Sequence, residues 1–223
     1  MKFEEIKKNL KRKTTDELIE IIEKLAYSTP SLIPLLEDCL FNPQKKPIVD
    51  IWEITTRIED AIAGPLNYNH VWSVVDKLED VAKTSQMLIE SKNFTLAAEI
   101  WYLIVEGCVT AYNRGADDSS GTLGDFTIEC ISYFNKCMAQ IQDQEVKAEY
   151  IDKVLDLYLE EDYGLDVEQM FEHIVDRENL KHIKEVFDDF LRSSKSKYMH
   201  EKMTTTLKDL IKIIHQREKR SKI

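Results

Sequence analysis

The feature that most constrains this chain is the stretch NFTLAAEIWYLIVEGCVTAY at residues 93–112. Phe94, Ala97, Ala98, Trp101, Ile104, Val105, Cys108, Ala111 and Tyr112 follow the three-four spacing of a helix face, and Ile100, Leu103 and Val109 make the opposite side apolar too. A helix that is apolar nearly all round must be covered nearly all round. Only Thr95, Glu99, Glu106 and Thr110 interrupt it, so the spacing predicts a central helix with neighbours on most sides.

The remaining periodic segments are helical in spacing as well, and six Gly and five Pro in 223 residues leave little for long loops. The fold class expected is all-α. In chain order, residues 3–12 make a short basic helix, and Thr14 with Glu17 forms a capping box for a helix carrying Leu18, Ile21, Ile22 and Leu25. Ser28-Thr29-Pro30 restarts the chain into a helix with Leu32, Leu35, Leu36 and Leu40, which completes a Leu-rich hairpin. NPQKKP at residues 42–47 is the most linker-like stretch, dividing an N-terminal unit of residues 1–45 from an array of residues 46–223.

Pro47 is expected to open a helix with Ile48, Ile51, Trp52, Thr55, Ile58 and Ile62 in line, stopped by Gly64-Pro65. From about Tyr68 the pattern Val71, Val74, Val75, Leu78, Val81, Ala82, Ser85, Leu88, Ile89 runs to a break at residues 90–92, and Asn93 then caps the central helix. So short a break forces the two long helices antiparallel. Past the loop NRGADDSSGTLGD come a helix with Phe126, Cys130, Phe134, Cys137 and Met138, and another with Ile151, Val154, Leu155 and Tyr158. A short helix follows, capped by Asp166, then one with Leu180, Ile183, Phe187, Phe190 and Leu191, and a last one with Met199, Met203, Leu207, Leu210, Ile211 and Ile214. About ten helices joined by short connections predict stacked antiparallel hairpins, an α-solenoid.

Two resemblances sharpen this. Lys92-Asn93-Phe94 followed by Ala97 and Trp101 looks like half of a tetratricopeptide unit, although Ile104 stands where that repeat prefers a small residue. More broadly, TDELIEIIEKLAYSTPSLIPLLEDCL, the long hairpin through TAYN, and DDSSGTLGD together resemble the helical region downstream of the zinc finger in prokaryotic SWIM zinc-finger proteins, over roughly residues 14–192. Its most specific element is Asp117-Asp118-Ser119-Ser120-Gly121-Thr122-Leu123-Gly124. The CxC and CxH pairs of a SWIM finger are missing, so the resemblance implies a freestanding helical-repeat module and no zinc binding.

The charge is −11 overall, but residues 1–13 and 208–223 each carry six basic and two acidic groups, which leaves 18 basic against 37 acidic in between. An acidic body disfavours a general nucleic-acid binder. Cys39, Cys108, Cys130 and Cys137 fall on apolar positions with no CxxC pairing and read as core residues of a reduced compartment. The charged N-terminus is unlike a signal peptide, and no apolar run is expected to reach the ~20 residues of a membrane span, so a cytoplasmic protein without membrane contact is expected.

Chemistry is hard to place. No His follows a Glu by three residues, HExxH is absent, and there is no GxxxxGK, GxGxxG or GxSxG. Read as a calcium loop around Gly121, the DDSSG segment puts Ala116 at the first ligand position and Thr127 at the twelfth, so it fails. Asp117, Asp118, Ser119 and Gly121 instead suggest a structural loop whose side chains cap helix ends. Acidic runs such as 160–162 read as solvated faces, and Glu178 with His182 as a surface pair. Trp52, Trp72 and Trp101 lie on apolar stripes, and any left exposed, Trp52 and Trp72 first, is a candidate anchor for a partner.

The expectation is therefore a scaffold that is not an enzyme and holds no cofactor or metal. Its partner would be a protein or peptide, attracted by an acidic rim that favours basic segments. The alternative is a nucleic-acid-associated accessory using the basic termini, which could equally meet the acidic body of a second copy as a homo-oligomer.

Overall fold

Asp50 accepts a hydrogen bond at 3.0 Å from the Trp52 N–H and so starts the first helix of the larger of two units, 48–223. The computed structural model describes residue 10 and residues 12–28, 49–161, 163–193 and 196–220. Residues 1–47 form the other unit, in which helix α1 (Thr15–Ser28) is described. The capping box is present there: the Thr14 N–H donates to Glu17 Oε2 at 2.9 Å and the Glu17 N–H to Thr14 Oγ1 at 3.3 Å. The basic helix of residues 3–12, the helix after Pro30 and the NPQKKP linker lie outside the described residues, apart from the end of the first.

The larger unit carries α2 (Ile51–Ile62), α3 (Tyr68–Glu90), α4 (Phe94–Asn113), α5 (Thr122–Gln140) and α6 (Gln144–Glu160). A 3-10 helix (Val167–His173), α7 (Arg177–Ser193) and α8 (Lys197–Arg220) follow. Among the described residues every regular element is helical, with nine helices and no strand. α4 packs against α2, α3, α5 and α6, so the apolar segment is covered on most sides, and eleven of its residues from Ala97 to Ala111 are buried. It also departs from one expectation. Over an 18-residue window its mean hydropathy is 1.4, enough by length and composition to cross a bilayer, but 61% of that window is buried inside the fold, as in a core helix.

α3 buries the predicted stripe from Val71 to Leu88. Ser85 on that stripe donates to the Ala97 carbonyl of α4 at 2.9 Å, a close approach that the small Ala97 permits. The other side of α4 meets α2, where a Cβ added to Gly107 would stand 2.5 Å from Ile58 Cγ2. Packing continues outward from there. The 3-10 helix lies on α5 and α6, α7 on α6, and α8 on α7 and the 3-10 helix.

Three local expectations are corrected. α2 begins at Ile51 with Asp50 as cap, and it buries Ile54, Ile58, Ala61 and Ile62 while Trp52 faces out. Asn93 makes no side-chain cap bond to α4. Asp166 likewise accepts no backbone N–H in a cap; it takes a left-handed conformation, and the segment after it is 3-10 rather than α. At Asn93 and Asp166 residue type suggested a side-chain cap where the structure has none, whereas α2 does use a side-chain cap, three residues later than Pro47.

Candidate functional site

Three of the four polar interruptions of α4, Glu99, Glu106 and Thr110, lead to the site. Glu99, Leu103, Glu106 and Thr110 share one face of α4, spaced by four, three and four residues, and this face is left open between α2 and α6. Two cavities meet on it at Leu103 and Glu106. One, of about 420 Å³, lies between α4 and α6 and is walled by Lys153, Asp156, Leu157 and Glu160. The other, of about 190 Å³, lies between α4 and α2 and is walled by Thr55, Ile58, Glu59 and Ile62, with Gly107 in its floor.

Electrostatics differ between the two. The first brings together Glu99, Glu106, Asp156 and Glu160 against a single ammonium, Lys153. Lys153 Nζ pairs with Glu99 at 3.0 Å and lies over the rings of Tyr102 and Tyr150, 5.4 Å and 4.9 Å from their centroids. Tyr150 donates its hydroxyl to Glu99 at 2.6 Å and Tyr102 donates to Glu106 at 3.0 Å. Burial first, then the adjacent carboxylates, push both phenols well above their ordinary range, so they remain proton donors that fix those carboxylates. Glu106, Asp156 and Glu160 face solvent with no lysine or arginine partner of their own in the cavity wall. The second cavity has an aliphatic floor and a single carboxylate besides the shared Glu106, at Glu59.

The residues singled out from sequence fall elsewhere. Trp52 and Trp72 are 66% and 52% exposed, but neither lines the α4 groove. Trp101 is buried and stacks on Tyr133 at 4.7 Å. In the DDSSG loop, Asp118 accepts from the N–H groups of Leu123 and Gly124 at 3.0 Å and 2.9 Å and from the Tyr112 hydroxyl at 2.6 Å, which ties the first turn of α5 to α4. Asp117 accepts from the Ser119 hydroxyl and N–H, its own N–H donates to the Leu66 carbonyl at 2.7 Å, and Gly121 supplies a φ of 76°. The groove carboxylates were missed as a group because they come from three helices. The available signal was the pair of glutamates interrupting an otherwise apolar α4.

Elsewhere the titratable groups are structural. Glu161, read from sequence as part of a solvated acidic run, is buried and pairs with Lys202 at 2.8 Å, with the Lys202 ammonium 4.7 Å over the Tyr158 ring. A third cavity of about 470 Å³, with Lys202 in its wall, lies between α8 and the 3-10 helix. His182 bonds Asp152 of α6 at 2.7 Å, not Glu178, whose N–H donates to Asp176. Cys108, Cys130 and Cys137 are buried free thiols; burial pushes Cys108 and Cys137 up to about 12 and Cys130 upward too, so they stay protonated and unreactive. Cys39 lies outside the described residues. Among the described residues no three His, Cys, Asp or Glu side chains gather closely enough to hold a metal ion. Comparison with known proteins finds no matching family model, curated protein or solved structure.

Proposed function

We propose that this chain is a non-enzymatic helical-repeat scaffold that binds a basic protein or peptide segment in the groove over α4. The observation that carries the reading is the convergence of Glu99, Glu106, Asp156 and Glu160 around one lysine, beside an aliphatic cavity, on the only polar face of the central helix. Such a surface offers apolar area for affinity and negative potential for orientation and selection. The arrangement of α2 to α6 supports the stacked-hairpin, tetratricopeptide-like reading, since α2 touches α3 and α4, α3 touches α4 and α5, and α4 touches α5 and α6. It is also consistent with a module like the helical region of SWIM zinc-finger proteins, working in the cytoplasm without metal or cofactor. The nucleic-acid alternative is weaker, because basic groups of α8 are already engaged. Lys212 pairs with Asp209 at 2.7 Å, and Arg217 donates to the Val175 carbonyl at 2.9 Å.

The test is fluorescence anisotropy of the whole chain with a labelled Lys/Arg-rich peptide, an acidic peptide of equal length, and a single-stranded oligonucleotide. The basic peptide should bind at low ionic strength and weaken as salt rises. Glu106→Gln with Asp156→Asn, both exposed and so tolerated by the fold, should weaken it about tenfold. Binding of the oligonucleotide alone, or basic-peptide binding indifferent to the double variant, would sink the reading.

A further inference from the structure

Resting on that reading, the geometry points to a more specific ligand: an extended segment with a Lys or Arg and a branched aliphatic residue two positions apart. The two cavities share Leu103 and Glu106 but extend in opposite directions from them. On α4 the polar one reaches back to Glu99 and the apolar one forward to Thr110, so along the helix axis they are offset by about one turn, while Leu103 and Glu106 line both. One turn is roughly 5–6 Å. In an extended chain, side chains at i and i+2 face the same way and are roughly 6.5–7 Å apart. An extended segment laid along the groove therefore places alternate side chains over the two cavities. The whole face from Glu99 to Thr110 spans ~16 Å, the length of about five extended residues.

The chemistry of each cavity selects its occupant. Glu106, Asp156 and Glu160 surround the polar cavity, and Lys153 is already held by Glu99, so an incoming cation meets three carboxylates with no basic partner of their own. The apolar cavity is floored by Ile58, Ile62 and Leu103, and its 190 Å³ suits one compact aliphatic side chain rather than an aromatic ring. Gly107 helps shape it, because the missing side chain lets Ile58 close the floor. Glu106 stands at the junction, held by the Tyr102 hydroxyl, and sets the boundary between the cationic and aliphatic positions.

The experiment uses the full chain and four labelled nonapeptides in one Gly/Ser/Gln background, with central Arg-Ser-Leu, Leu-Ser-Arg, Arg-Ser-Ser or Gln-Ser-Leu. One of the first two should bind at least about tenfold tighter than Arg-Ser-Ser, the scale expected when one aliphatic side chain leaves water after part of the gain is lost to ordering. Gln-Ser-Leu should not bind measurably. Thr110→Leu, which places a compact aliphatic side chain in the apolar cavity from an exposed position, should erase the leucine advantage and leave the arginine-dependent binding of Arg-Ser-Ser in place. Equal affinity for Arg-Ser-Ser and both leucine peptides overturns the two-site specificity while the basic-segment reading stands. No binding by any arginine peptide at low salt removes both.

Discussion

Gly107 and Ile58 are both buried where α2 meets α4, and a methyl group at position 107 would stand 2.5 Å from Ile58 Cγ2. A close-packed interior gives Ile58 little room to move aside. Gly107→Ala is therefore expected to destabilise the fold by about 1–3 kcal/mol in urea unfolding; an unchanged midpoint would mean that α2 slides off the contact at no cost. The Glu161–Lys202 pair has side chains 0% and 10% exposed. Lys202→Met, which keeps the stem over Tyr158 but strands the carboxylate, should cost about 3–5 kcal/mol, and adding Glu161→Gln should recover much of it. Burial pulls the Glu161 carboxyl upward, but Lys202 and the N–H groups of Leu165 and Tyr163 outweigh that and hold it below the ordinary value of 4.5. The folded state then binds fewer protons at this site, so its stabilisation is complete above 4.5 and is lost as pH falls through the lower folded value. Glu168 works in the opposite sense, since burial raises its carboxyl, so its protonation comes first and relieves repulsion from Asp166 and Glu161. Thermal melts across the acid range should show the wild type losing stability below 4.5 and Glu161→Gln losing less. None of this was legible at the residue itself. Glu160 and Glu161 are the same residue type side by side, and only the return of α8, 41 residues later, buries one of them.

At the scale of elements the same closing motif appears twice with different residues. After α3 the Lys92 N–H bonds the Ile89 carbonyl at 3.0 Å and the Asn93 N–H the Leu88 carbonyl at 2.8 Å; after α4 Gly115 and Ala116 bond Tyr112 and Ala111 at 2.8 Å and 3.1 Å. Both are Schellman closures, which require a left-handed residue just past the helix. Gly115 takes that conformation freely at φ 84°, whereas Lys92 is forced into it at φ 60°. Lys92→Gly is thus expected to stabilise the α3–α4 hairpin by about 1 kcal/mol, read as a higher urea midpoint. A fall would show that the lysine side chain contributes more than its backbone strain removes. The hairpin itself was readable in the sequence, because nine apolar or small positions of α3 repeat at helical spacing, and eight of them are buried with Ile89 partly so. Its closure was misread by residue type, with Asn93 taken as the cap. The same limit applies to α2, whose short stripe admits either Trp52 or Ile54 on the inner face, and only packing against α3 and α4 selects Ile54.

At the scale of the molecule, the sequence carried the all-α class through periodicity and the central place of α4 through its apolarity, but not the groove. Glu59, Glu106 and Asp156 are separated by about fifty residues each, and no local pattern tells that α2 and α6 flank the one polar face of α4. The groove also contains its own opposing charge. Lys153 is 40% exposed, tied to Glu99 and lying over Tyr102 and Tyr150, and it is the one cation among the four carboxylates of the larger cavity. It therefore lowers the attraction for a basic ligand while holding Glu99 and the two rings in place. Lys153→Gln removes the charge and leaves Tyr150 bonded to Glu99. Being partly exposed, the Lys153–Glu99 pair contributes little to stability, so the variant should stay folded. Its affinity for a basic peptide should rise roughly two- to fivefold at low ionic strength, and the gain should shrink as salt screens it. Lys153→Arg, which keeps the charge, should behave as the wild type. A gain that persists at high salt would assign the effect to released space instead of charge. A loss of affinity in Lys153→Gln would mean that the lysine itself contacts the ligand, which would make the groove a site for segments carrying a hydrogen-bond acceptor.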